Sequence, residues 1–430
     1  MTEILSPKAA RNAFLTLTFT RWFPVGLVVG AMTLWPLQQG LTISQALLAF
    51  SFMGFVVFAL ELPTSGFADA FGRRPVYIVS AVVNIVSSVV VIVADSFWTF
   101  AIAGALFGVF RALDSGPLEA WYVDIVHVTK PGADVDQTLA AQSTVLGGSI
   151  AVGSVLSGGL IAWDPLPSSS ALLLPLLVWA ALNVAHLLIV LFVMHEPRTH
   201  VDATGARRAA ESVREAPVVI REGIGMLASN RVLRGIVLVE IFWSTGMVVF
   251  ETFQPIRLAE LVGGEEQAGA LMGPVAAVGW GVFALGSALA GLASRRIGVT
   301  RTAILSRILN GLGAVVMGLV AGPVALIAAY FFTYALHGTA GPMHLSLLHR
   351  EAVARNRATV LSMNSMVGFA AFSISAPLLG VLADAVNTQT AMVTAGAFSV
   401  FGAFLYLPAL QAERQRGQAV PEEVSPASGS

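Results

Sequence analysis

Twelve long apolar runs, separated by short polar stretches, constrain this chain more than any other feature. They fall near residues 13–38, 42–64, 75–94, 98–122, 138–162 and 171–193, then 231–255, 268–293, 302–321, 323–347, 357–383 and 388–410. A bilayer-spanning helix needs about 20 apolar residues, and inside hydrocarbon every backbone N–H and C=O must be bonded within the protein. Each run therefore reads as a membrane helix. Only 11% of the 430 residues are charged and the mean hydropathy is +0.78, against about 25% charged in soluble domains. A water-soluble fold is excluded, and twelve crossings leave no room for a large soluble domain. The expected class is an all-α integral membrane protein with twelve transmembrane helices. The first run lacks a small-residue cleavage site and holds Arg21, so it reads as an uncleaved anchor.

The basic residues sort by side. With a cytoplasmic N-terminus, Arg257 alone of the 24 Lys and Arg falls outside, Arg21 and Arg111 fall within spans, and the rest, Arg307 among them, fall on the inner side. Cytoplasmic loops carry the Lys/Arg excess, so both termini are expected in the cytoplasm and the protein in the inner (plasma) membrane. The chain divides into a six-helix unit over 1–194, a cytoplasmic linker over 195–230, a second six-helix unit over 231–411 and a disordered cytoplasmic tail over 412–430. Within the linker, Val218, Val219, Ile220, Ile224 and Met226 among charges suit either an amphipathic helix on the inner face or a solvated connection.

The two units read as copies. SGPLEAWYVD (115–124) lies over AGPMHLSLLH (340–349), pairing Gly116-Pro117 with Gly341-Pro342. Nearly the same offset pairs Gly72 with Gly298, and Gly26 with Gly246. Gly147 and Gly159 fall on Gly368 and Gly380. Weak internal symmetry of this kind marks transporter folds built from repeats. A Gly-Pro pair inside a span removes a helix hydrogen bond, so paired bends in spans four and ten are expected, with close helix packing through small residues as the other reading.

Between spans two and three, ELPTSGFADAFGRRP holds a carboxylate at Asp69, a reversal at Gly72 and a basic pair at Arg73 and Arg74. Asp69 is placed to cap a neighbouring helix N-terminus, and the arginines to meet helix C-termini or lipid phosphates. This loop resembles the signature of the major facilitator superfamily, G-x-x-x-D-[RK]-x-G-[RK]-[RK]: Asp69, Gly72, Arg73 and Arg74 match, Ser65 stands where the first Gly is usual, and Ala70 replaces a basic residue. A degenerate second copy runs from Gly291 to Gly298 with Arg295 at the acidic position. The resemblance covers the whole chain and implies two six-helix pseudo-repeats in the major facilitator fold. Arg111, Asp114 and Gly116 only approximate the family's fourth-span motif, and Gly153 with Gly158-Gly159 only echoes its antiporter motif. The runs ELPTSGFADAFGRR, SGPLEAWYVD and RATVLSMNS look similar to a bacterial branch described as efflux proteins.

Seven ionisable side chains other than histidine fall in spans: Arg21, Glu61, Arg111, Asp114, Glu119, Glu240 and Glu251. Each costs about 2.5–3.5 kcal/mol at a helix centre on insertion scales, so each is expected to face the bundle interior or a wet cavity. Arg111 and Asp114 stand at i and i+3 on one helix face. A carboxylate whose cationic partner or water comes and goes changes its affinity for protons, which makes this pair, with Glu251 and Glu240, the candidates for proton coupling; a static stabilising pair is the other reading. Glu240 and Glu251, eleven residues apart in span seven, are expected on one face. Arg21, Trp22, Trp243, Tyr334, His337 and Asn364 are the candidates for lining a substrate cavity. Trp35, Trp98 and Trp163 near helix ends read as interfacial anchors.

No H-E-x-x-H, P-loop, G-x-S-x-G or G-x-G-x-x-G is present, the histidines lack metal spacing, and with no cysteine thiol chemistry and Cys-ligated metals drop out. The reading is not an enzyme but a secondary transporter without cofactor or metal, a monomer that binds a small molecule, protons and membrane lipids, and no nucleic acid. The leading activity is proton-coupled export of a lipophilic neutral or cationic drug or metabolite by alternating access. The alternative is an uptake symporter or facilitator for a small nutrient.

Overall fold

The apolar runs become helices, and the computed structural model describes residues 5–64, 66–166, 168–196, 205–352 and 356–418. No strand occurs among them. Eleven spans are Ile43–Thr64, Arg73–Val93, Phe97–Thr129, Asp136–Trp163, Leu173–Val193, Arg231–Val262, Glu265–Ile297, Val299–Leu319, Pro323–Glu351, Thr359–Ala385 and Thr388–Gln415. Ahead of them, Pro7–Val28 and Ala31–Gln38 form one further span bent by 41°, which completes twelve. Numbered one to twelve in chain order, successive spans alternate in direction. The first span thus starts, and the last one ends, on one face, here the near face, opposite the far face.

The third span shows how these sequences choose their inside. Val79, Val82, Val86, Val89 and Val93 recur three or four residues apart and are exposed, while Ser80, Asn84, Ser87 and Ser88 are buried. In lipid there is no hydrophobic drive between helices, so polar hydrogen bonds and close packing mark the interior. Asn84 accordingly donates to Asn183 Oδ1 of span six at 3.2 Å, and Ser87 to the Ala103 carbonyl of span four at 3.0 Å.

The expected repeat is visible in the packing partners. Span one packs on five, two on four, and three on four and six; correspondingly seven packs on eleven, eight on ten, and nine on ten and twelve. The halves meet through two equivalent pairs, two with eleven and five with eight. The matched loop glycines take almost the same conformation, φ 95° and ψ 155° at Gly72, φ 88° and ψ 156° at Gly298, a region that side-chain-bearing residues rarely enter.

The matched Gly-Pro pairs behave differently. In span four, Gly116 adopts φ 93° and breaks the helix between Phe97–Asp114 and Pro117–Thr129, with Pro117 in its first turn, where a missing N–H costs nothing. In span ten, Pro342 lies within a continuous helix, Pro323–Glu351. Pro342 has no N–H to offer the Gly338 carbonyl one turn earlier; Ser287 of span eight donates to that carbonyl instead, at 2.9 Å. A neighbour thus repairs one site and a left-handed glycine opens the other, so the bends are not paired.

The near face carries further departures. Ser65 lies outside the described residues. Among the described residues Asp69 pairs with Arg73, at 2.5 Å, and not with a helix N-terminus. The cap of span three is Glu196, whose two oxygens accept from the backbone N–H of Arg73 and Arg74 at 2.8 and 2.9 Å. Arg74 donates to the Leu191 carbonyl near the end of span six at 2.9 Å. Residues 197–204 of the linker also lie outside the described residues; Gly205–Ser229 is one helix, whose Ser212 hydroxyl bonds the Pro63 carbonyl of span two at 3.2 Å. The last helix, Leu407–Gln418, runs into the stretch expected as a disordered tail; residues 419–430 lie outside the described residues. Trp98 and Trp163 are exposed near the far face, but Trp35 is buried and donates to the Val91 carbonyl at 3.0 Å; it is a core residue, not an anchor.

Close backbone approach holds spans one and five together. A side chain added at Gly26 would collide with the backbone at Ile150 and Gly153, and one at Gly153 with the Phe23 carbonyl, whereas Gly159 has open space. Gly153→Val should therefore destabilise the protein by about 1–3 kcal/mol, read as a lowered thermal midpoint in detergent, with Gly159→Val close to the parent.

Candidate functional site

The N-terminal half brings its charges together at the break in span four. The Arg21 Nη2 of span one donates to Asp114 Oδ2 at 2.9 Å and its Nε to the same oxygen at 3.2 Å, with both side chains more than 90% buried. The guanidinium also lies over the rings of Trp22 and Phe110, 4.8 and 4.5 Å from their centroids, an attraction that strengthens on desolvation. Arg111 stands one turn before Asp114, but its Nη1 is 3.7 Å from Oδ2 and the side chain is 39% exposed. The expected Arg111–Asp114 pair is thus the outer part of a triad whose tight bond is made by Arg21. Asp114 ends its helix immediately before the left-handed turn, which aims its carboxylate across to span one. Beneath the triad, His186 lies 2.9 Å from the Thr20 hydroxyl and 3.2 Å from that of Tyr77.

The C-terminal half builds a second polar centre. Glu240 Oε1 of span seven lies 2.9 Å from His344 Nε2 and accepts from Asn364 Nδ2 at 3.1 Å; His344 is also 2.9 Å from Asn364 Oδ1 and 2.7 Å from the Tyr406 hydroxyl. Glu240, His344 and Tyr406 are buried. Arg307 belongs here, not on the inner surface. It is 2% exposed within span nine and its guanidinium carbon stacks 3.5 Å from the Trp243 ring. Its position inside the 302–321 run was the signal for this placement, and counting all flanking arginines as loop residues hid it. Tyr406 and His344 carry no motif that would have drawn attention to them together, because five helices contribute to the centre.

Glu240 and Glu251 do not share surroundings as their eleven-residue spacing suggests. A π-helical turn, Val249–Phe253, interrupts span seven and rotates everything beyond it. Glu240 ends buried at His344, whereas Glu251 is exposed and faces the Tyr334 hydroxyl of span ten. The other intramembrane acids are engaged: Glu119 accepts from Gln142 Nε2 at 2.5 Å, and Glu61 lies beside the Ser365 hydroxyl and within reach of the Arg111 charge.

At His337 three of the candidate cavity residues of the C-terminal half converge. His337 lies 5.3 Å from Trp243 and 5.6 Å from Tyr334, centroid to centroid, with Phe250 and Phe283 at 5.0 and 5.5 Å. Trp280 and Phe283 continue this wall into a cavity of about 550 Å³ between spans five and eight, whose opposite side is Ser143, Thr144, Gly147 and Ala151, within the usual range for small-molecule sites. Asn364 and Trp22 are placed with their own polar centres instead, Asn364 on Glu240 and Trp22 on Arg21.

Toward the far face the halves close. Asp384, at the end of span eleven, accepts from the backbone N–H groups of Ile43 and Ser44, which open span two, at 3.1 and 3.0 Å. Glu266 of span eight accepts from Ala171 N, ahead of span six, at 3.0 Å. Gly158 and Gly273 bring spans five and eight into backbone contact at the same level. The cavity lies on the near-face side of that contact.

A sequence model of the Major Facilitator Superfamily matches residues 14–286 and 264–429. No curated protein matches the chain. Among solved structures, the nucleoside transporter NupG is 12% identical with a TM-score of 0.72, covering 94% of this chain and 99% of that one. The peptide transporter POT in complex with sulfate is 15% identical with a TM-score of 0.71, covering 94% and 95%. At these identities the likeness is one of fold.

Removing one member of a buried ion pair leaves the other charge stranded, at a cost of about 3–5 kcal/mol. Arg21→Leu should thus lower the thermal midpoint strongly, and Arg21→Leu combined with Asp114→Asn should recover most of the loss. Additive losses in the double variant would show that the pair does not interact.

Proposed function

Because the chain belongs to the Major Facilitator Superfamily, it is a multi-pass membrane transporter and not an enzyme, and we propose that it exports a lipophilic neutral or cationic small molecule in exchange for protons. The observation that carries this reading is the Arg21–Asp114–Arg111 triad at the break in span four. Two guanidinium groups hold one carboxylate at a hinge in span four, and the outer one, Arg111, is partly exposed. A proton taken up by Asp114 cancels its attraction for both arginines and frees span four to move against span one. Loss of that proton restores the triad. A carboxylate with two environments has two proton affinities, which is what coupling across a membrane requires.

The units 1–194 and 231–411 rock about the shared spans two, five, eight and eleven, with 195–230 as the connection between them. Placing the Lys/Arg excess in the cytoplasm makes the near face cytoplasmic, so the chamber between spans five and eight faces inward and loads from inside. The protein acts as a monomer in the plasma membrane, with anionic lipid headgroups at the arginines of the near face. Uptake of a small nutrient by the same machinery is the second reading. It is favoured by the hydroxyls of Ser143 and Thr144 on the chamber wall and by fold neighbours described as nucleoside and peptide transporters.

Alternation requires the far-face seal to open. Loss of a helix cap costs about 0.5–2 kcal/mol, so Asp384→Ala should raise labelling of a single cysteine introduced at Leu47 by an impermeant maleimide about three- to tenfold. Unchanged labelling would mean that Asp384 does not hold the seal. In reconstituted vesicles, a panel of lipophilic cations should drive proton flux through the parent, and Asp114→Asn should bind them without moving protons. Downhill movement with no proton flux in the parent rejects the exchange mechanism.

A further inference from the structure

We infer that the chamber takes a cation carrying aromatic groups, and that Glu251 is the residue that reads its charge. This deepens the transport reading and rests on it. Each of the other four acids within the apolar runs already has a polar or charged partner: Asp114 has Arg21 and Arg111, Glu240 has His344 and Asn364, Glu119 has Gln142, and Glu61 has Ser365. Glu251 forms no salt bridge among the described residues. Its polar neighbours are tyrosine hydroxyls, Tyr334 and more distantly Tyr330, which can steady a carboxylate but cannot neutralise it.

The surroundings add the second half of the recognition. Phe250, Tyr334, Phe283 and Trp280 form a continuous set of rings, with centroid separations of 6.0 Å for Phe250–Tyr334, 5.7 Å for both Phe283–Tyr334 and Trp280–Phe283, and 6.4 Å for Trp280–Tyr334. Trp280 and Phe283 are half-buried and face the cavity. Aromatic faces attract cations and accept other rings edge-on or offset. Glu251, a carboxylate without a cation, bonds Tyr334, whose ring packs on Phe283 and Trp280 at the wall of a cavity of about 550 Å³, and this arrangement fits an ammonium or phosphonium borne on aromatic groups. The π-turn makes this possible, since it rotates Glu251 away from the arginine-bearing centre at Glu240 and toward the rings.

Tetraphenylphosphonium and tetraphenylborate share a shape and differ in charge, so they separate the two elements. Equilibrium binding to the purified full-length protein should favour tetraphenylphosphonium over tetraphenylborate. Glu251→Gln should weaken the phosphonium by about tenfold or more while leaving the borate nearly unchanged. Glu251→Asp should retain the preference, and Phe283→Ala should weaken both ions. Equal binding of the two ions by the parent overturns the inference without needing any variant, as does phosphonium binding that Glu251→Gln leaves intact. Proton flux in vesicles is measured separately, so charge-selective binding without flux would reject the exchange mechanism while this site stands.

Discussion

Burial of apolar surface does not hold these helices to one another, because lipid is as apolar as their side chains. Everything else in the molecule follows from that constraint. Helices must find each other by backbone approach and by polar bonds, and both are concentrated where the two halves repeat. Spans one and five touch at Gly26 and Gly153, spans eight and ten at Gly286 and Gly338. Asn84 with Asn183, and Asn310 donating to the Thr333 carbonyl at 2.9 Å, tie equivalent layers of the two copies. The many valines that would form a core in water lie on the outside.

The same constraint divides the charges. The N-terminal half concentrates positive charge, with two arginines about one aspartate, and its tight pair spans two helices at a break. The C-terminal half places its arginine against an indole and its carboxylates apart, one within a polar centre and one by the aromatic wall. The two polar centres therefore differ in chemistry, although the backbones that carry them repeat. The symmetry sets where helices lie, and the departures from it set the chemistry.

Much of this was legible in the sequence, and the remainder was hidden for definite reasons. Span positions, the two copies and the turn at Gly72 and Gly298 follow from hydropathy and from the conformations open to glycine. Asp114 and Glu251 were visible as charges too costly to bury without purpose. Their partners were not, because Arg21 reaches Asp114 across 93 residues of sequence and spacing rules describe neighbours on a single helix. An eleven-residue spacing puts Glu240 and Glu251 on one face only of a regular helix, and no residue pattern marks the π-turn between them. Asp69 and Glu196 are equally able to cap, and Glu196 does so, because the sequence says which residues can cap but not which helix end lies beside them.

The two carboxylates that close the far face, Asp384 and Glu266, both grip peptide N–H groups, to which Asp384 adds the hydroxyls of Thr42 and Ser44. Most of such a latch is backbone. Almost any residue at 43 or 171 presents the same donor, so drift there leaves those bonds intact, and only proline would remove them. The strength of the closed state can accordingly be tuned during evolution through the two acidic positions and the two hydroxyls, while positions 43 and 171 remain free to diverge for other ends.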